Sequence, residues 1–310
     1  MVIKKTDELK KLLSEYIKIY NSERNKEKRK LWKKTRAIIL DKWRGIPKDI
    51  GDTGGKIPFV SWPGLDIWRR ILYLDIGRYH YDPGYFLLNW LKMKIHYFKN
   101  FDDDNYYSNA IPIWLGEGFE ATLFGMKILY SPDSEPWMDR KTAPLLSNEN
   151  IEKLAISNFS DKGLIPLAKK FYEEISEVVG DYGMIVDFVS WGNGPVAAAN
   201  YLRSMEKMSM DYLLNPDFAN KLLEFITNTK LSWYKYRTKY LNGNIGESEP
   251  PEILNDDVAA PNISPKIYRN IIWKYEKKLN DFRNGFSYYH NCGPMDPFLD
   301  DIAKFKGIEL

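Results

Sequence analysis

The chain has 310 residues, 44% of them hydrophobic and 28% charged, a balance that permits a sizeable core and argues against disorder. Its 45 Lys and Arg against 42 Asp and Glu leave a net charge of +3, so nothing global demands nucleic acid or an anionic membrane. No apolar run reaches the roughly 18 residues of a membrane span, no signal-type apolar core follows Met1, and a single cysteine excludes an internal disulfide, so a cytoplasmic protein is expected.

Residues 4 to 45 read as helical and polar. Leu9, Leu12, Leu13, Tyr16, Ile17 and Tyr20 recur at spacings of three and four and form one narrow apolar stripe. Between Lys18 and Arg36 basic residues dominate; this predicts a solvated helix face or, by charge alone, a docking patch for an acidic partner. Asp52-Thr53-Gly54-Gly55 is a loop, and Ile57 to Trp62 is an extended run ending at the turn Pro63-Gly64. Residues 65 to 100 read as mostly helical and aromatic, which makes 1–100 a helical extension and 101–310 a second domain.

From about residue 109 short apolar runs alternate with amphipathic helices. Ala110 to Trp114, Met184 to Val189, Glu252-Ile253-Leu254 and Phe286 to Cys292 are the expected strands, and Gly307 to Leu310 looks like the opening of another. Asn215-Pro216, Ser264-Pro265 and Asp296-Pro297 each place a capping residue before a proline that can begin a helix. Strand, loop and helix in this rhythm predict βα units on a parallel sheet.

The polar clusters fall where such strands end: Trp191 to Asn193, Asn255-Asp256-Asp257, and His290 to Gly293, with Glu247 and Glu249 in the loop Gly246 to Pro251. In a (β/α)8 barrel the reactive groups sit at that face, although Gly, Asn and Asp at a strand end also serve simply as turn residues. His290 and Cys292 are the most specific pair. A strand points residues i and i+2 to one face, and an imidazole with a thiolate is half of a soft-ligand metal site. The plainer reading is a buried small hydrophobe beside a hydrogen-bonded histidine.

In order, Asn255-Asp256-Asp257, Ile263 to Tyr268, His290-Asn291-Cys292-Gly293 and Leu299 to Ala303 resemble the uroporphyrinogen decarboxylase superfamily, most closely its cobalamin-dependent (corrinoid) methyltransferase branch. Gly118-Phe119-Glu120-Ala121, with Phe124-Gly125 and Gly194-Pro195, is similar to segments of the same proteins, so the resemblance spans roughly 100 to 310. It implies an α/β (β/α)8 TIM-type barrel carrying an N-terminal helical extension. It also implies zinc at His290 and Cys292, and transfer of a methyl group between a small methylated substrate or thiol and a corrinoid held by a partner protein. Trp191 and Asn193 are then the candidates for contact with the bound cofactor. Asp256, Asp257, Glu247 and Glu249 are the carboxylates that could orient the histidine, complete the metal shell or handle a proton.

The chain departs from that pattern in two ways. The family's further cysteine ligand has no counterpart, and only five or six βα units can be counted before Leu310, so a C-terminally incomplete barrel is expected. Its open edge predicts self-association into a homo-oligomer. A decarboxylase of tetrapyrrole carboxylates is the alternative; it lacks its arginine clamp, since Asp75-Ile76-Gly77-Arg78-Tyr79 offers one arginine where several carboxylates want several. A non-catalytic truncated barrel that binds a corrinoid protein is the third reading.

Overall fold

The structure is a computed structural model that describes residues 3–43, 58–147, 149–242, 252–255, 257–286 and 288–308, with side chains outside 34–43. It divides into two compact units. The first comprises Met1–Ile113, Tyr130–Glu135 and Lys170–Val186, and the second Trp114–Leu129, Pro136–Lys169 and Asp187–Leu310.

The first unit is mainly helical. Helix α1 (Asp7–Asn21) begins where the Thr6 hydroxyl accepts from the Leu9 amide, and Asp7 and Glu8 favour its positive end. It buries Leu9, Leu13, Tyr16 and Ile19, one position round from the expected stripe at its far end. Helices α2 (Glu23–Trp43), α3 (Leu65–Leu72), α4 (Ile76–Tyr79) and α5 (Pro83–Asn100) follow. Asp82 caps α5, with Pro83 in its first turn. Helix α1 packs on α5, where the Tyr16 and Trp90 rings stand 5.1 Å apart, and the Tyr16 hydroxyl donates to the Ser108 carbonyl.

On α2, Lys26, Lys30 and Lys33 are exposed, while three other basic side chains reach inward. Arg24 donates to the carbonyls of Phe98 and Phe101, Arg29 donates to that of Tyr107, and the Lys28 ammonium lies 5.3 Å from the Phe98 ring centre. Strand β1 (Ala110–Pro112) follows, at the first of the expected strand runs.

Further along come α6 (Phe119–Thr122) and a hairpin of β2 (Ile128–Ser131) and β3 (Ser134–Met138). The hairpin was not among the expected strands. Its turn is Pro132-Asp133, a sequence suited to a tight reversal. After α7 (Ile165–Val179) and β4 (Ile185–Asp187), the second unit continues through α8 (Pro195–Arg203), α9 (Met205–Leu214) and α10 (Pro216–Tyr240). Strand β5 (Glu252–Leu254) leads to α11 (Pro265–Ile267), a π-helical turn over Tyr268–Ile272 and α12 (Trp273–Phe282). Strand β6 (Tyr288–His290) and α13 (Leu299–Ile302) complete the order. Of the expected helix starts, Ser264 is a true cap whose hydroxyl accepts from the Ile267 amide. Asn215 occupies the cap position without a side-chain bond, and Asp296 lies inside a short 3-10 turn.

Strands β5 and β6 pair in parallel with Glu252 opposite Tyr288, Ile253 opposite Tyr289 and Leu254 opposite His290. On the other side of β5, Asn193 forms a parallel bridge to Leu254. Three chain segments thus run abreast, each followed by helix, as βα units require. Among the described residues the sheets are two-stranded, so the expected eight-stranded closure is not seen. The expected strand opening at 307–310 lies partly outside the described residues. Ile308 carries no strand assignment, but the Phe286 amide donates to the Lys306 carbonyl.

Candidate functional site

His290 ends β6, and its Nε2 lies 3.2 Å from Cys292 Sγ. Its Nδ1 lies 3.1 Å from the Tyr288 hydroxyl. The histidine is half-buried and the cysteine exposed. The backbone carbonyl of His290 accepts from the Asn255 amide at 2.9 Å, which ties the end of β6 to the end of β5.

The other expected site residues that the structure describes lie on neighbouring segments. Asn193 and Trp191 are buried at the end of the neighbouring segment. The indole N–H of Trp191 has no hydrogen-bond partner among the described residues. Asp257 is half-buried and accepts from the Asn200 amide group at 2.8 Å. Asp256, Glu247 and Glu249 lie outside the described residues. Among the described residues no group of three or more His, Cys, Asp or Glu could hold a metal ion. The imidazole and thiol suit zinc in kind, but a zinc centre takes at least three protein ligands. The described residues therefore bring together two of the donor types such a centre uses.

Behind these strand ends lies a buried polar cluster. From α12 the Glu276 carboxylate, fully buried, accepts from the Asn255 amide group (2.7 Å), the Tyr268 hydroxyl (2.7 Å) and the Tyr289 hydroxyl (3.2 Å). Burial pushes its pKa up to about 7, against the pull of those three donors and of the Lys230 charge. From α6, Glu120 accepts from the side chain of Asn193, and burial pushes it up as well. From α10, the Lys230 ammonium donates to the carbonyls of Asn193 (2.8 Å) and Gly192 (3.2 Å). Its charge lowers both carboxyls. Both carboxyls still stand above their usual range, because burial outweighs that one ammonium.

This cluster fixes the identity of Gly194. Its amide donates to the Leu254 carbonyl, and a Cβ there would overlap Asn255 Oδ1, an atom buried without a partner among the described residues. Gly194→Ala should therefore cost about 1–3 kcal/mol. Urea unfolding measures it, and a variant as stable as its parent would show that Asn255 has room to move.

Glu276, Tyr268, Tyr289 and Lys230 were not among the expected site residues. The available signal was a charge at a core-period position. Glu276 sits four residues after Ile272 and three before Leu279, while Lys230 sits four after Ile226 and three before Trp233.

Two hollows of about 450 and 310 Å³ belong to the first unit. One is lined by Leu9, Arg78 and Tyr85 among others, the second by Arg24, Lys28 and Asp103 among others. Neither includes a residue of the strand-end cluster. No helix of the described residues is long and apolar enough to cross a membrane.

No family model and no curated protein matches the sequence. Among solved structures the chain is similar in fold to a methyltransferase from Methanosarcina mazei, with a TM-score of 0.59 and 18% identity. The match covers 88% of this chain and 74% of that one. At this identity the likeness is one of fold.

Proposed function

We propose that the chain is a methyltransferase of the uroporphyrinogen decarboxylase-like type, built on a (β/α)8 frame. It moves a methyl group between a small methylated substrate or thiol and a corrinoid carried by a partner protein. The observation that carries this reading is the convergence of His290 Nε2 and Cys292 Sγ at the C-terminal end of a parallel strand. The fold likeness to a methyltransferase supports it.

His290 and Cys292 are the residues that would hold zinc, with further donors from a carboxylate such as Asp256, Glu247 or Glu249. Bound there, zinc supplies Lewis-acid polarisation and lowers the pKa of a coordinated thiol. The chain's own part is orientation. With Nδ1 turned to the Tyr288 hydroxyl, Nε2 is the nitrogen left facing the cysteine, and the Asn255 amide fixes the backbone that carries the ring.

Metal analysis tests the assignment. The purified chain should carry near-stoichiometric zinc, and His290→Ala and Cys292→Ser should each lose most of it. A parent protein without zinc after expression in zinc-replete medium would remove the metal from this site.

A further inference from the structure

Strand geometry alone does not explain why the two donors meet. Residues i and i+2 of a strand share a face but stand about 7 Å apart along it. Here β6 ends at His290, and Cys292 lies in the bend that follows. The bend, not the strand, brings Sγ to 3.2 Å from Nε2.

That bend is held by the residue between the donors. Asn291 Nδ2 donates to the Asn255 carbonyl at 2.7 Å and to the Val258 carbonyl at 2.6 Å. Its Oδ1 accepts from the Gly293 amide at 2.6 Å. The two carbonyls require an amine and the Gly293 N–H requires an oxygen, so a flipped amide would spoil all three bonds. Two further contacts seat the bend on the same loop. The Ala260 amide donates to the Pro294 carbonyl, and a Cβ on Gly293 would come within 2.5 Å of the Ala259 methyl. Asn291 is half-buried and its three bonds all go to backbone groups, so its effect runs through the backbone.

We infer that Asn291 is the positioning residue of this site, the side chain that converts a strand end into a convergent imidazole–thiol pair. The inference rests on the metal-binding reading above for its consequence, though not for its geometry. Conversion to Leu removes all three bonds at similar volume. Conversion to Asp keeps an acceptor for Gly293 but sets a carboxylate against two carbonyl oxygens.

The test uses the full chain with cobalt(II) as the probe, together with hydrogen exchange of the 288–294 segment. In the parent, cobalt(II) should give a near-ultraviolet thiolate band, and the Gly293 amide should be protected. In Asn291→Leu and Asn291→Asp, cobalt affinity should fall about 10–100-fold, the range seen when outer partners of metal ligands are removed. The thiolate band should weaken in both, and the Gly293 protection should be lost in Asn291→Leu, which has no acceptor there, with the melting temperature near that of the parent. Unchanged protection at Gly293 in Asn291→Leu would overturn the inference, and so would unchanged cobalt affinity and spectrum in the variants. A parent that binds no cobalt would overturn the metal reading instead, and the exchange measurement would still decide whether Asn291 holds the bend.

Discussion

Lys230→Met should lower the unfolding free energy at pH 7 by about 3–5 kcal/mol, the cost of removing one partner from a buried charge cluster. Lys230 is 1% exposed on α10 and holds the carbonyls of Gly192 and Asn193. Its charge is the cation acting on both Glu120 and Glu276. Methionine fills similar space but leaves two carbonyls without their donor and two carboxyls without a counter-charge. The loss should be smaller at pH 5 than at pH 8, because protonated carboxyls need no cation. Urea titrations at both pH values measure it. A loss at the level of an exposed lysine, about 0.5 kcal/mol or less, would show that the cluster is solvated and the ammonium dispensable.

Glu276 should leave its own mark on the pH dependence of stability. Its pKa in the folded chain is about 7 against a usual 4.5, raised mainly by burial. Below pH 4.5 both folded and unfolded forms carry the proton, and the group's contribution is at its most favourable. As pH rises toward 7 the unfolded form ionises while the folded form resists, so stability falls; above that it levels off. The full loss is about 3 kcal/mol. Glu276→Gln cannot ionise and keeps two hydroxyls and an amide as partners after reorientation. Relative to its parent it should gain about 2.5 kcal/mol between pH 5 and pH 8, most of the full difference. The gain is read as the difference between two urea-unfolding series, in which other titrating groups cancel. Parallel profiles for parent and variant would mean that Glu276 ionises normally.

The strands and helix starts of the C-terminal half were legible in the sequence because each rests on local signals. Glu252-Ile253-Leu254 is the observed β5 without adjustment, and Phe286 to Cys292 shortens to β6 because the chain bends after His290. The His290–Cys292 pair was legible as spacing, but its reason was not. Convergence depends on Asn291 reaching Asn255 and Val258, more than thirty positions away. The buried cluster was hidden for a related reason. A lysine or glutamate inside a helix normally reads as surface, and only Asn193, Asn255 and Tyr289, brought up from three other segments, turn Lys230 and Glu276 into core residues. On α2, Lys26, Lys30 and Lys33 face solvent as a basic helix suggests, while the carbonyl partners of Arg24 and Arg29 leave no trace in composition.

The π-helical turn at Tyr268–Ile272 sets the phase of everything after it. In an unbroken α-helix, residues eight apart are rotated by about 80° from one another. Tyr268 and Glu276 are eight apart yet share a 2.7 Å bond, and Tyr268, Ile272 and Glu276 are all buried. A turn that takes in one extra residue cancels that rotation. The helix therefore works as a vernier: one residue more in a single turn aligns a phenol at its start with a carboxyl in its middle, and the regular α-helix beyond carries the amide of Asn280 that grips Lys306.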